Sequence, residues 1–441
     1  MISLARPFLL LALFAFIQSS GQTAEPATEL PPTKAHLQIQ RDGLPNFFAK
    51  AKKEGKVNVA YLGGSITAAQ GWRIFTREWL GKQFPQTEFI EINAAIGGTG
   101  SDLGVYRLGH DVLQYQPDLM FVEFAVNDGG ADPRQIWKAM EGIVRQTWAR
   151  FPNCDICFVY TFRVGYEKEL SQGLLPRAAS ANEKLAEHYR IPSINMALRT
   201  VQIADEGKLI YKAEPDSAEA EAAKAKGQIV FSKDGVHPVE AGHRIYTEVI
   251  SKALEDWNQD KITAIDHSKK LATSFVPGHW QAAQMVVIDP AMLQGDWKKL
   301  PAENSLMKKF SKRLGQLWQA DTPGQSLNFR FRGSAVKLYD LLGPDGGQVI
   351  ITIDGVRQDK LIPRFDSYCT YHRIATLKIT SGLDPKKFHT IKVEVHPEQP
   401  DRKAVSHRLK NPEKELQGEK YQGTRLRVGG IQFLGDKIEA L

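Results

Sequence analysis

The chain has 441 residues, 42% of them hydrophobic, and a formal net charge of +7. This length and composition predict two or three domains with ordinary packed cores. Beyond the N-terminus no apolar run is long enough to span a bilayer, so stable membrane insertion is not expected. The three cysteines are too few for a disulfide scaffold.

The first residues have the pattern of a secretory signal. Arg6 supplies positive charge, and an apolar run covers residues 8–17. We therefore predict a signal peptide over residues 1–24, which implies a secreted or periplasmic protein. An uncleaved anchor helix is the alternative, although the run is short for one. Residues 25–40 are rich in Pro, Thr and Glu and predict a linker.

Strand and helix patterns alternate between residues 41 and 265. The predicted strands are 57–62, 88–93, 119–126, 156–162 and 192–195. The predicted helices are 72–84, 103–115, 135–150, 178–189 and 239–257, and residues 213–226 predict an exposed helix or insertion. Such alternation, with continuous apolar strands, predicts an α/β domain whose parallel sheet is covered on both faces. Ligands of these sheets bind at the carboxyl ends of the strands.

The pattern changes after residue 265. Residues 266–284 predict a linker, and residues 285–441 predict an all-β sandwich. The predicted strands there are 326–331, 335–341, 348–353, 377–379, 389–395 and 424–433. Residues 266–441 hold 28 basic and 19 acidic residues, which could favour an acidic ligand, but a solvated surface is the preferred interpretation. No nucleic-acid-binding motif is present, so nucleic acid is not an expected partner.

Cys154 and Cys157 form a C-x-x-C pair without a second pair that could complete a zinc site. The surrounding residues predict a buried strand, and a disulfide formed after export is the alternative. No metal motif is present, and no cofactor is predicted.

Ser65 follows Gly63 and Gly64 at the end of the first predicted strand. A serine there could simply cap a helix. The P-loop is excluded because no Gly-Lys-Ser/Thr follows, and the G-x-S-x-G elbow because Thr67 stands at its second glycine. What remains is a serine between a glycine turn and a helix, open to a substrate.

Two further segments with polar or glycine residues directly follow predicted strands. Gly98 lies in a glycine-rich exit that is either a flexible loop or a backbone amide directed at an anion. Leu103 occupies the third glycine position there and excludes a dinucleotide fingerprint. Asn127 follows an apolar run and is either a turn residue or an amide pointing into the ligand crevice.

Asp234 and His237 are three residues apart, just before the last predicted helix of the α/β domain. Alone they could be a helix cap and a surface histidine. Together with Ser65 and Asn127 they make up a nucleophile, a base, a carboxylate to orient the base and an oxyanion donor. Acyl transfer needs that set.

In these four blocks the chain resembles the SGNH hydrolases, also called GDSL-type esterases, over about residues 55–257. The resemblance implies a flavodoxin-like three-layer fold. It also implies Ser65 as the nucleophile, His237 as the base and Asp234 as the group that orients it. The oxyanion hole would be formed by the Ser65 amide, the Gly98 amide and the Asn127 side chain.

The chain departs from the family pattern at two positions. Gly64 stands where an aspartate is usual, which predicts the loss of a supporting hydrogen bond. Ala125 stands where a glycine is usual, which predicts a site narrower by one methyl group. Neither departure removes a reacting group.

The stretch 63–128, with Arg73 and Arg107, resembles secreted bacterial members that deacetylate polysaccharides. More loosely, the C-terminal half resembles the jelly-roll modules carried by some of them. We therefore expect contacts to substrate from these two arginines and from Tyr368, Tyr371 and His372.

The sequence thus predicts a secreted serine esterase that removes O-acetyl groups from a polysaccharide or oligosaccharide by a Ser-His-Asp acyl-enzyme mechanism. A lipase, lysophospholipase or thioesterase on the same scaffold is one alternative. A non-catalytic sugar-binding protein is another. The sequence makes no prediction about the oligomeric state.

Overall fold

The computed structural model describes residues 30–53, 55–258 and 263–441. The predicted signal peptide, residues 1–24, lies outside these ranges. Within them, no helix has the length and apolar character needed to cross a membrane.

The first part of the chain is built on a six-stranded sheet. Its strands are β1 (Gln38–Ile39), β2 (Gly55–Gly63), β3 (Thr87–Asn93), β4 (Leu119–Glu123), β5 (Asp155–Tyr160) and β6 (Ser193–Asn195). The spatial order is β1-β6-β5-β4-β2-β3. Strands β2 to β6 are parallel, and the two-residue β1 adds an antiparallel edge.

Helices cover this sheet in two rows. They are α1 (Pro45–Ala51), α2 (Ser65–Ala68), α3 (Trp72–Gln83), α4 (Ser101–Asp111), α5 (Pro133–Arg150), α6 (Glu167–Leu170), α7 (Arg177–Tyr189), α8 (Met196–Asp205), α9 (Ala218–Ala225) and α10 (Glu240–Trp257). Helix α10 packs between α3 and α8, and α5 packs between α4 and α7. The predicted three-layer α/β fold with a parallel sheet is confirmed. Helix α9 lies between two short parallel strands, β7 (Leu209–Lys212) and β8 (Ile229–Ser232).

Strand β4 is shorter than its apolar run predicts. It ends at Glu123, and residues Asn127–Gly130 form a 3-10 turn in which the Asp128 amide donates to the Phe124 carbonyl at 2.8 Å. After Glu123, Phe124 and Ala125 are buried in the core and Val126 packs against it, but none of the three joins the sheet. The apolar run therefore predicted a strand that is too long, because the chain stays buried beyond the residue at which strand pairing ends.

The second part of the chain is one large antiparallel sheet of 11 strands. They are β9 (Ala283–Val287), β10 (Leu293–Gln294), β11 (Lys298–Lys299), β12 (Trp318–Ala320), β13 (Ser326–Leu342), β14 (Gln348–Ile353), β15 (Val356–Arg357), β16 (Ile362–Pro363), β17 (Arg373–Ser381), β18 (Phe388–His396) and β19 (Leu426–Ala440). Strand β13 pairs along most of its length with β19, and its two halves pair with β18 and β17. The predicted strands 326–331 and 335–341 are thus one strand, and the all-β prediction is confirmed.

Two helices interrupt the β region, α11 (Ser305–Leu314) and α12 (Pro412–Glu415). The first was not predicted. The Asn304 side chain caps it by accepting from the Leu306 amide at 2.9 Å. Met307, Phe310 and Leu314 are buried on one face, at spacings of three and four residues. The helical spacing of these apolar residues can be read from the sequence, but the basic residues between them obscured it.

Helix α11 lies at the junction of the two parts. Its buried face forms one apolar cluster with Leu103 of α4 and with Tyr339 and Leu341 of β13. Residues 266–284, predicted to be a linker, lie along α5, where Glu141 accepts hydrogen bonds from the Phe275 and Val276 amides at 2.7 and 2.8 Å.

Candidate active site

Ser65 is the first residue of the one-turn helix α2, directly after the turn that ends β2. Gly64 before it is extended, with φ −92° and ψ −152°. Amides of the first helical turn have no partner within their helix, so the Ser65 amide can donate to a substrate. The Ser65 hydroxyl lies 2.7 Å from His237 Nε2.

His237 and Asp234 lie on the loop between β8 and α10. The Asp234 Oδ2 to His237 Nδ1 distance is 2.6 Å, and Asp234 Oδ1 accepts the amides of Val236 and His237 at 2.9 and 2.8 Å. Gly235, at φ +85°, allows the tight turn that folds this loop back on itself. Three residues of separation thus suffice to join the two side chains.

The carboxyl of Asp234 is held in its ionised form. Partial burial acts to raise its pKa, but hydrogen bonds from the His237 ring and from the His237 and Val236 amides lower the pKa to about 2. An ionised carboxylate accepts from Nδ1–H and leaves Nε2 free to accept the Ser65 proton. The geometry therefore suits activation of the Ser65 hydroxyl by the His237 ring.

The glycine-rich loop after β3 approaches Ser65 closely. A β-carbon on Gly97 would lie 3.5 Å from the Ser65 Cβ, and Gly98 has a φ of +73°. Gly97 and Gly98 line the same cleft as Ser65 and His237. The structure thus brings the predicted oxyanion glycine and the predicted nucleophile together.

Asn127 lies against the turn that precedes Ser65. A β-carbon on Gly64 would fall 1.9 Å from the Asn127 Oδ1 and 3.2 Å from its Nδ2. The Asn127 side chain therefore occupies the space that any side chain at position 64 would need. Asn127 itself is exposed.

Two buried carboxyls beneath these loops were not predicted as site residues. Glu123 accepts hydrogen bonds from the hydroxyls of Thr67 and Thr161, both at 2.9 Å. These bonds and one from the Gly64 amide lower its pKa, but burial has the larger effect and raises the pKa to about 7. Asp128 accepts the Ser101 amide at 3.0 Å, and burial raises its pKa to about 7. Glu123 had a visible signal, because it is the one charged residue in an apolar run.

A cleft of about 720 Å³ separates the Ser65 loop from the β region. Tyr368, Tyr371 and His372 line its far side, opposite Ser65 and His237. The two tyrosines are 45% and 50% exposed, so their rings are open to a ligand. The structure thus places these three predicted substrate residues beside the predicted nucleophile.

Tyr368 and His372 are held by neighbours in the β region. The Arg408 guanidinium stacks on the Tyr368 ring at 3.8 Å. His372 Nε2 lies 3.2 Å from Asp345 Oδ1 and 3.1 Å from Arg427 Nη1. Lys309 and Phe310 of α11 also line the cleft and were missed, because that helix was not predicted.

The predicted substrate contacts of Arg73 and Arg107 are wrong. Arg73 is 2% exposed and is paired with Glu91, and Arg107 is fully buried and is paired with Asp111 at 2.7 Å. Neither lines the cleft. Both arginines instead satisfy backbone carbonyls inside the α/β part, Thr67 for Arg73 and Ala94 for Arg107.

The expected effect of Ala125 is also wrong. Its side chain is 1% exposed and belongs to the α/β core, so its methyl group does not narrow the cleft.

Over residues 30–53, 55–258 and 263–441, no group of three or more His, Cys, Asp or Glu side chains could hold a metal ion. Cys154, Cys157 and Cys369 are all free and buried.

Residues 61–245 match the family model of the GDSL-like Lipase/Acylhydrolase family. No curated protein matches the chain in sequence. Among solved structures, the chain is similar to a two-domain esterase, CEX, active on acetylated mannans, with 18% identity over 89% of this chain and 94% of that one and a TM-score of 0.66. The same esterase co-crystallised with mannopentaose has a TM-score of 0.63, with 18% identity over 88% of this chain and 93% of that one. An acetylxylan esterase from Geobacillus stearothermophilus matches 48% of this chain and all of its own at 16% identity and a TM-score of 0.36.

Residues 61–245, which lie within the α/β part and contain all four motif blocks, are thus similar in sequence to the GDSL-like acylhydrolases. The family resemblance predicted from the motif blocks is confirmed. The likeness to the two-domain esterase extends over both parts of the chain, so it also includes the antiparallel sheet that follows the hydrolase domain.

Proposed function

We propose that this protein is an O-acetyl esterase of carbohydrates that works through a covalent acyl-enzyme on Ser65. The observation that carries the proposal is the continuous chain of hydrogen bonds from the Ser65 hydroxyl through His237 to Asp234, at 2.7 and 2.6 Å. This chain opens directly into the cleft.

In the first half-reaction the Ser65 oxygen attacks the acetyl carbonyl carbon while His237 Nε2 takes the hydroxyl proton. The tetrahedral intermediate then collapses, and the bond from carbon to the sugar oxygen breaks. His237 returns its proton to that oxygen, so the glycan leaves with a free hydroxyl and acetate remains esterified to Ser65.

In the second half-reaction water takes the place of the sugar oxygen. His237 removes a proton from the water as it attacks the acyl-enzyme, and then protonates Ser65 as acetate leaves. Asp234, ionised through this cycle, stabilises the imidazolium that forms twice. The amides of Ser65 and Gly98 and the side chain of Asn127 would donate to the oxyanion.

The carbohydrate part of the proposal is supported by the far wall of the cleft. Two half-exposed tyrosines line the same cleft as Ser65 and His237, and flat amphipathic rings suit a sugar better than an acyl chain. The two-domain esterase that shares this architecture is active on acetylated mannans. An acetylated oligosaccharide or polysaccharide is accordingly the proposed substrate class.

Export is proposed on the sequence pattern of residues 1–24. Expression of the full chain in a bacterial host tests it. We expect a mature protein that begins near residue 25 in the periplasm or medium, and a full-length product confined to the cytoplasm would contradict export.

The catalytic proposal is tested with Ser65→Ala and His237→Ala, measured by p-nitrophenyl acetate hydrolysis and by acetate release from acetylated mannan and xylan. Each variant should lose at least about 10³-fold in kcat, and the double variant should be little worse, because the residues act as a unit. Ser171→Ala, an exposed serine elsewhere in the fold, is the matched control and should keep full activity. Near-normal acetate release by a folded Ser65→Ala protein would disprove the mechanism.

The rival activity is hydrolysis of long-chain esters. An enzyme with an acyl groove should turn over p-nitrophenyl octanoate at least as fast as the acetate, whereas the proposed enzyme should strongly prefer the acetate. Preference for the longer ester would assign the protein to the lipases or thioesterases. Binding of oligosaccharide without turnover of either ester would make it a sugar-binding protein.

A further inference from the structure

The loop that carries Gly98 leaves the sheet at its edge. Strand β3 is the last strand of the six-stranded sheet, where it is hydrogen-bonded to β2. Beyond the strand, the amides of Ala94 and Ile96 still donate to the Tyr61 and Gly63 carbonyls of β2, both at 3.0 Å. In an extended chain alternate residues present their polar groups to opposite sides, so the carbonyls of Asn93 and Ala95 face away from the sheet.

Those two outward carbonyls are met by one side chain from the other part of the molecule. Arg313 Nη2, in the last turn of α11, donates to the Asn93 carbonyl at 2.8 Å and to the Ala95 carbonyl at 3.0 Å. Arg107 of α4 donates to the carbonyl of Ala94 between them. Three consecutive carbonyls before the glycine turn are therefore fixed by two guanidinium groups.

Arg313 is itself held in place by packing. Phe310 and Leu314 on the same helix are buried in the apolar cluster at the junction. A β-carbon on Gly429 of β19 would lie 2.7 Å from a Leu314 methyl, so the helix sits directly on the sheet backbone there. The position of the guanidinium is thus set by the packing of α11 on the β region and against Leu103 of α4.

We propose that Arg313 is a positioning residue through which the β region holds the oxyanion loop against Ser65. The inference rests on the proposed function, because it assumes that the Gly98 amide stabilises the oxyanion. It assigns the β region a part in the chemical step, separate from any contact with the glycan. Releasing the Asn93 and Ala95 carbonyls would let the loop drift from Ser65, and donors aligned to a transition state lose their effect on small displacements.

The test uses the full chain with Arg313→Met, which keeps an apolar stem and removes both donated bonds. We expect kcat on p-nitrophenyl acetate to fall roughly tenfold to 100-fold, which is no more than the effect of removing one oxyanion donor. KM should stay within about twofold of the wild-type value. The same fold loss is expected on acetylated oligosaccharide, because the loop acts on the acetyl carbonyl in both. Arg313→Lys, which keeps the charge without the guanidinium geometry, should be intermediate.

Lys308→Met is the matched control, since Lys308 is an exposed cation on the same helix. It should leave kcat unchanged. Wild-type kcat in a folded Arg313→Met protein would overturn the inference while leaving the catalytic proposal intact, provided that Ser65→Ala is inactive. A loss confined to the oligosaccharide would also overturn it, because Arg313 would then bind substrate.

If Arg313→Met fails to fold, Arg313→Lys decides the matter. A lower kcat at an unchanged melting temperature supports the positioning role. A lower melting temperature with unchanged kcat overturns it and leaves Arg313 a structural residue.

Discussion

At Gly64 this chain departs from the aspartate that is usual in the family it resembles, and the structure supplies a reason. The Asn127 side chain lies where the first atom of any residue 64 side chain would be. Sequence comparison treats the missing aspartate as a lost hydrogen bond. The structure instead indicates that the Asn127 side chain can occupy its position only because residue 64 is a glycine.

Replacing Gly64 should therefore displace Asn127. Because Asn127 is exposed, its side chain can move toward solvent without unfolding the protein. We expect Gly64→Ala, and also Gly64→Asp, to lower kcat by roughly 10²–10³, the loss typical of one oxyanion donor, with little change in KM. Steady-state kinetics on p-nitrophenyl acetate and thermal melts provide the measurement.

Gly81→Ala is the control for this prediction, because a β-carbon on that helical glycine meets open space. In an Asn127→Ala background, Gly64→Ala should cost little more, since the residue it displaces is already absent. An active Gly64→Asp enzyme would mean that Asn127 is not needed where the structure places it.

At the scale of elements, two buried carboxyls, one at the end of β4 and one in the turn that follows it, join the loops of the candidate active site. Glu123 connects β4 to the Ser65 turn through Thr67, and Asp128 connects the Asn127 turn to the start of α4 through the Ser101 amide. Both pKa values are raised to about 7, with burial as the main cause. These carboxyls bind protons more tightly in the folded state than in the unfolded state.

This arrangement predicts a pH dependence of stability. A carboxyl with a raised folded-state pKa contributes stability below its unfolded value, and that stability is lost as the pH rises through the folded value. For Glu123 the window runs from 4.5 to about 7. As the pH rises through this window, the free energy of unfolding should therefore fall less for Glu123→Gln than for the wild type. The difference should be on the order of 3 kcal/mol.

The measurement is the free energy of unfolding in urea at several pH values between 4 and 8. The glutamine keeps the shape of the side chain, and the hydroxyls of Thr67 and Thr161 can rotate to suit its amide. Glu248→Gln, at an exposed position, is the control and should follow the wild type. A wild-type pH profile in Glu123→Gln would show that Glu123 is ionised throughout.

At the scale of the whole molecule, the cleft is formed by two parts of the chain that are far apart in sequence. One wall comes from the loops at the carboxyl ends of β2 and β3 and from the His237 loop, and the other comes from residues 366–374 and helix α11. This division predicts that the chemical step and the hold on the glycan can be separated by mutation.

Tyr371→Ala should weaken glycan binding and spare the chemistry. The ring is half exposed in the cleft, and an aromatic contact worth roughly 0.5–1.5 kcal/mol corresponds to a rise of about 2- to 10-fold in KM. That rise is expected for acetylated oligosaccharide, with kcat on p-nitrophenyl acetate unchanged. Phe388→Ala, which removes an exposed ring outside the cleft lining, is the control. Equal KM values for Tyr371→Ala and wild type on oligosaccharide would refute a contact between Tyr371 and the glycan.

The sequence by itself determined the two fold classes and the set of residues that we propose to react. Alternating apolar strands and amphipathic helices are local patterns, and so are a serine after two glycines and an Asp and His three residues apart. The Asp234–His237 contact closes within one turn, which is why spacing alone could predict it.

Only the tertiary structure decided which polar residues face the cleft. Arg73 and Arg107 stand in the chain as plausible substrate contacts, yet both are buried against carboxylates and carbonyls of the same domain. The contact of Arg313 with the loop before Gly98 joins residues about 220 positions apart. Such contacts arise from packing between distant segments, where spacing along the chain carries no information about distance in space.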